Sequence, residues 1–166
     1  ELVGQVDFAT LASEVQRACR KMAEHPSYFE VLTAMTLLWF ARCRVEVAVL
    51  EVGLGGELDA MNIVDAEVAV LTTLALEHTD WLGSDLRAIA RTKAAIVRPQ
   101  TRVITGWEVE FQRYIPQHTN LTSGGSALEW ATLALEQLGV VASVCETRPP
   151  GRREQVGNIL LDCAHN

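Results

Sequence analysis

Two short apolar runs constrain this chain more than any other feature. The first, V-E-V-A-V-L-E-V at 45–52, is rich in β-branched residues and ends in Gly53-Leu54-Gly55-Gly56; the second is V-A-V-L-T-T-L-A-L at 68–76. Each reads as a strand, and the second is apolar on both faces, as strands in the middle of a parallel sheet are. Helical periods surround them. From Asp7 to Met22 apolar positions recur at spacings of three and four, which predicts an amphipathic helix ending by His25-Pro26. Ser27 and Glu30 form an S-x-x-E capping box ahead of a second helix so apolar around its circumference that deep burial is expected. A third helix, capped at Ser84, is predicted to run to Pro99, and a short strand to cover Val103 to Thr105. Alternating strands and helices define an α/β fold, a mostly parallel sheet with helices on both faces.

The last third is less regular. Residues 107–125 carry no sustained period and read as loop; Ser126 and Glu129 open another helix that stops at Gly139. R-P-P-G-R-R at 148–153 is extended and basic, and a final strand at 159–161 leads into Asp162-Cys163-Ala164-His165-Asn166.

Charge and composition exclude several classes of function. With 14 Lys+Arg against 21 Asp+Glu, a net charge of −7, and no basic run, the chain is not a binder of nucleic-acid phosphates. Hydrophobic residues at 49% against 21% charged permit a packed core and argue against disorder. No apolar run is long enough for a spanning helix. The opening Glu1-Leu2-Val3-Gly4 has neither a basic n-region nor an initiator Met, so it reads as a cut end without a signal peptide. Cys19, Cys43, Cys145 and Cys163 lack C-x-x-C spacing and are expected as reduced thiols of a cytoplasmic protein.

Ligands of open parallel sheets bind outside the carboxyl ends of the strands. Glu51, His78 and Asp162 each fall at or just beyond such an end. Singly, a Glu there is a solvated side chain and a His a hydrogen-bonded one; three together favour a site. Lys93 lies on the apolar stripe of its helix, where it either snorkels to solvent or has its charge altered by modification or a nearby metal. The turn at 53–56 offers backbone N–H groups to an anion, but no Walker loop occurs: the chain has two lysines, Lys21 and Lys93, and neither follows a glycine.

These motifs in this order carry a resemblance. Y-F-E-V-L-T-A-M from Tyr28, V-A-V-L-E-V-G-L-G-G-E-L-D-A-M-N to Asn62, E-H-T-D-W-L-G to Gly83, A-R-T-K-A-A-I to Ile96, Pro150-Gly151-Arg152 and D-C-A-H-N at the end resemble the folylpolyglutamate synthase and dihydrofolate synthase family of Mur-type ligases. The resemblance implies an incomplete ATP-binding central domain over 1–145, lacking its N-terminal phosphate loop, and the start of a C-terminal α/β ligase domain over 146–166. It implies an ADP-forming amide ligase that adds glutamate to folates, using ATP and Mg²⁺. The substrates would be folate or dihydropteroate and L-glutamate, the chain a monomer, with neither nucleic acid nor membrane as partner. Glu51 and His78 match the family's magnesium ligands, and Lys93 its carbamylated lysine. Asp59 matches an acid near the reacting groups, and Arg152, Asp162 and His165 match residues that approach the nucleotide, His165 also as a catalytic group.

The sequence departs from the family pattern at Glu57 (arginine), Met61 (threonine), Glu77 (aspartate), Thr92 (glutamate), Ala95 (glycine) and Cys163 (glycine). Without the phosphate loop, slow or absent ATP turnover is expected from these residues alone. The alternatives are a non-catalytic descendant that keeps the fold, and a Mur-type ligase of peptidoglycan precursors, which the folate-type Y-F-E-V-L-T run disfavours.

Overall fold

The computed structural model describes residues 3–116 and 120–141, together with the backbone of 154–156 and 159–161. The chain divides into two compact units, one of residues 1–54 and 58–64, the other of 55–57 and 65–166.

In the first unit, α1 (Gln5–Cys19) packs on α2 (Tyr28–Cys43), with Leu11, Val15 and Met35 buried between them. The predicted capping box forms in full: the Ser27 hydroxyl accepts from the Glu30 N–H, and the Glu30 carboxylate accepts from the Ser27 N–H at 2.6 Å. Deep burial of α2 is not observed. Thr33 and Met35 alone are buried in it, and Tyr28 is 79% exposed, because the described helix packs against α1 and a short 3₁₀ turn (Ala60–Ile63) and neither surrounds it.

The run at 45–52 is a second correction. Its backbone joins no described ladder, and Val49 is 88% exposed. Alternation and β-branching favour an extended conformation, but a strand also requires a neighbour, which local sequence cannot supply.

The second unit holds the expected parallel sheet, in the order β1 (Val68–Leu71), β2 (Arg102–Thr105), β3 (Leu121–Ser123). As the central strand, β2 has Val103, Ile104 and Thr105 fully buried. Ala69, Leu71 and Val103 face Ala90 and Ala94 of α4 (Leu86–Ala94), with Trp107 and Ile115 completing that core. On the opposite face Arg102 donates to the Gln137 carbonyl and Gln137 reaches the Thr122 hydroxyl, so α6 (Ala127–Leu138) covers the other side. Helices therefore lie on both faces. Burying one such aliphatic side chain stabilises the fold by about 1.5–3 kcal/mol.

Several boundaries differ from the sequence reading. β1 stops at Leu71, and 72–78 continue without a ladder into α3 (Thr79–Leu82). The cap of α4 is Asp85, not Ser84: its carboxylate accepts from the N–H groups of Arg87 and Ala88 at 2.8 and 2.9 Å, which a shorter Ser side chain one residue earlier does not do. Within the expected loop lie α5 (Val109–Gln112) and β3, both too short to show a period. α6 begins at Ser126 and ends at Gly139 in the left-handed conformation, as predicted. The final strand is β5 (Ile159–Leu161), antiparallel to β4 (Glu154–Val156). Cys19 and Cys43 are free thiols, and among the described residues no helix is long and apolar enough to cross a membrane.

Candidate active site

The glycine-rich turn is divided between two tasks. In the first unit, Asp59 Oδ2 accepts from the N–H groups of Gly53 and Leu54, both at 3.0 Å, while Oδ1 accepts from Met61 N–H at 2.8 Å. The N–H pair that the sequence offers to an external anion thus holds the chain's own carboxylate, which also caps the 3₁₀ turn. Asp59 is by this geometry a positioning residue.

In the second unit, Gly55 and Gly56 are buried against the carboxyl end of α4. A Cβ on Gly56 would stand 2.6 Å from the Thr92 carbonyl oxygen, and Gly55, with φ of 68°, adopts a left-handed conformation closed to most residues. The Glu57 N–H donates to the same Thr92 carbonyl at 3.0 Å, tying the turn to the residue before Lys93.

Lys93 Nζ lies 2.7 Å from Glu77 Oε1, with the two side chains 22% and 20% exposed. The lysine therefore neither snorkels freely nor stands unpaired; its charge meets a carboxylate at the rim of the core. His78, next to Glu77, has φ 48° and ψ 41°, an uncommon backbone conformation for a residue other than glycine, and it begins α3. Such conformations cost about 1–3 kcal/mol and cluster at functional sites. Just before Glu77, Leu76 contributes to a shallow cleft of about 300 Å³ shared with Asp85, Arg87, Phe111 and Tyr114, and Arg91 sits 5.2 Å over the Tyr114 ring.

The structure thus brings Lys93 to Glu77, which the sequence reading named only as a departure from a pattern. The signal was present: a lysine on an apolar stripe requires a counter-charge. Glu51 is exposed in the first unit, His78 and Lys93 belong to the second, and Arg152, Asp162 and His165 lie outside the described residues. Among the described residues no group of three His, Cys, Asp or Glu side chains is placed to hold a metal ion. As an ammonium, Lys93 is the counter-charge of Glu77 and not a ligand; it would suit a magnesium ion only as a carbamate.

A parallel sheet covered on both faces, with a glycine turn packed on the helix that carries the lysine, defines an α/β protein. No family model matches the chain. It is 54% identical over 80 residues to a dihydrofolate synthase/folylpolyglutamate synthase of Escherichia coli (strain K12), covering 48% of this chain and 19% of that protein. Over 107 residues it is 41% identical to the enzyme of the same name from Mycobacterium tuberculosis (61% of this chain, 22% of the relative), and over 106 residues 40% identical to a folylpolyglutamate synthase of Lacticaseibacillus casei (63% and 24%). Among solved structures, an E. coli FolC in complex with DHPP and ADP superposes with a TM-score of 0.85 at 28% identity, over 100% of this chain and 50% of that one. The particular proteins the chain is similar to are thus dihydrofolate and folylpolyglutamate synthases, over the matched stretches. It spans about half the length of that solved chain, and its matched stretches cover about a fifth to a quarter of these curated relatives.

Proposed function

We propose that this chain is part of an ATP-dependent ligase that joins L-glutamate to a folate or dihydropteroate in the cytoplasm. A carboxylate of the pterin-bearing substrate is phosphorylated by ATP, and the amino group of glutamate displaces phosphate to form the amide, leaving ADP and phosphate. The observation that carries the reading is the buried approach of Gly55-Gly56 to the Thr92-Lys93 segment, with Glu77 and His78 on the facing loop. This clusters the family's motifs at one end of α4.

Within this proposal Glu51, His78 and a carbamylated Lys93 are the residues that would hold Mg²⁺, which would neutralise charge on the transferring phosphoryl group; carbamylation would turn an ammonium into an anionic oxygen ligand suited to a hard cation. Arg152, Asp162 and His165 are assigned to the nucleotide, His165 also to catalysis. Asp59, assigned to the reacting groups by the resemblance, serves by holding the turn. The ADP complex of the solved E. coli FolC supports ATP as the co-substrate.

The test is ADP release measured with ATP, Mg²⁺, a folate-type acid and L-glutamate, with the conjugate identified by mass spectrometry. It is run on the 166 residues and on the longest natural gene product that contains them. The isolated residues, which lack a lysine-bearing phosphate loop, should be slow or inactive. In the longer product, ADP release that requires both the folate-type acid and glutamate is expected; release indifferent to glutamate, or conjugation of a different amine, overturns the proposal.

A further inference from the structure

Within the second unit, the segment that carries His78 is fastened to α4 on either side of that residue. Before it, Glu77 meets Lys93 at 2.7 Å. After it comes α3, whose first turn closes on the His78 carbonyl: the N–H groups of Trp81 and Leu82 both donate to it at 2.9 Å. The left-handed backbone of His78, at φ 48° and ψ 41°, stands between the two fastenings. A residue with a Cβ keeps such a conformation only where its surroundings over-determine it.

The second fastening is made by Leu82. A Cβ on Gly55 would stand 2.7 Å from Leu82 Cδ2 and 2.8 Å from Thr92 Cγ2, so the leucine end and the threonine methyl both close over this glycine. A Cβ on Gly83 would stand 2.6 Å from that of Ala88. Ala88 and Thr92 are four residues apart on α4 and share one face of it, so Leu82 and Gly83 seat the end of α3 on a single stripe. A helix of four residues is far too short to hold itself, and its placement depends on what it packs against. An ion pair at 77 and an apolar seat at 82 therefore tie down the two ends of the segment around His78.

We propose that Leu82 is a positioning residue for His78: seated against Gly55 and the Thr92 methyl, it fixes the end of α3 and so keeps the His78 backbone left-handed, ready for the part this histidine takes in the ligase. The role of His78 as a magnesium ligand rests on the ligase reading; the hold of Leu82 on its backbone does not.

Two measurements on the longest natural gene product that contains these residues test it. With isotope-labelled histidine, the NMR shifts of His78 Cα and Cβ read its backbone conformation. Leu82→Ala should move them toward averaged values, and Leu82→Met, which refills the seat, should restore them. Ile115→Ala, which empties a buried place elsewhere in the same core, should leave them unchanged. In the second measurement, Leu82→Ala should raise the Mg²⁺ concentration for half-maximal glutamate-dependent ADP release roughly ten-fold, the lower end of what losing the support of a metal ligand costs, and Leu82→Met should not. Unmoved shifts in Leu82→Ala, an equal movement in Ile115→Ala, or an unaltered Mg²⁺ requirement overturns the proposal. A wild type without glutamate-dependent ADP release sinks the ligase reading instead, and the histidine shifts then decide by themselves whether Leu82 holds His78. Should the Ala variant fail to fold, Leu82→Val, too short to fill the seat, replaces it with the same outcomes.

Discussion

Glu77 Oε1 and Lys93 Nζ meet at 2.7 Å, joining the loop after β1 to the last turn of α4, with about four-fifths of each side chain removed from solvent. The pair settles the position of a lysine that would otherwise set an ammonium against an apolar stripe. Removing one partner leaves the other charge half-buried. Glu77→Gln should therefore destabilise the second unit by about 1.5–3 kcal/mol, the range for hydrogen bonds to charged groups. Replacing both partners together, Glu77→Leu with Lys93→Met, should cost less than the sum of the single changes, because no orphan charge remains. Urea unfolding of the four proteins gives the coupling directly; strictly additive losses would mean that the pair contributes nothing.

Lys93 also separates folding from chemistry. Lys93→Arg keeps a cation for Glu77 and should retain most of the stability, but a guanidinium is not expected to carry the carbamate that the proposed ligase requires. In the longer gene product, glutamate-dependent ADP release should be lost in both Lys93→Arg and Lys93→Ala. Added acetate should restore part of it in the Ala variant by supplying an oxygen ligand. An active Arg variant removes the carbamate from the proposal.

Asp59 satisfies three backbone N–H groups, which solvent would have to take over if the carboxylate were deleted. Asp59→Ala should cost about 2 kcal/mol, at the upper end of capping losses, while Asp59→Asn keeps an acceptor oxygen and should lose less. Amide hydrogen exchange at Gly53, Leu54 and Met61 reads this locally: those amides should lose protection in the Ala variant before the helices do.

Gly56→Ala tests the packing of the turn on α4. The added methyl would stand 2.6 Å from the Thr92 carbonyl, a backbone atom that cannot rotate away. A loss of about 1–3 kcal/mol is expected, typical of overpacking. A variant with the wild-type melting temperature would show that the turn lies further from the helix.

The cap of α4 predicts a pH dependence. Hydrogen bonding from the Ala88 N–H, then that from Arg87, holds the Asp85 carboxyl below its ordinary value. A depressed carboxylate contributes stability that is fully present above the unfolded-state pKa, about 4, and is lost as the pH falls through the lower folded value. Wild type and Asp85→Asn should therefore differ most in melting temperature near neutral pH and converge in acid. A difference that persists unchanged into acid would place the effect elsewhere.

What the sequence determined by itself is local or chemical. The Ser27–Glu30 box, the stop at Gly139, the strand at β2 and the parallel α/β class follow from capping chemistry, a left-handed glycine and an apolar pattern, all encoded within a few residues. The motif series likewise pointed to the folylpolyglutamate and dihydrofolate synthases that the chain is similar to. Tertiary structure decided the matters that depend on distant neighbours. The 45–52 run has strand composition and no described partner strand; the Gly53 and Leu54 amides hold Asp59 in place of an outside anion; Lys93 found Glu77; and β3, three residues long, exists because β2 lies beside it. Periodicity records which face of an element is apolar, whereas a ladder or an ion pair requires a second surface, and that surface is supplied only when the chain folds.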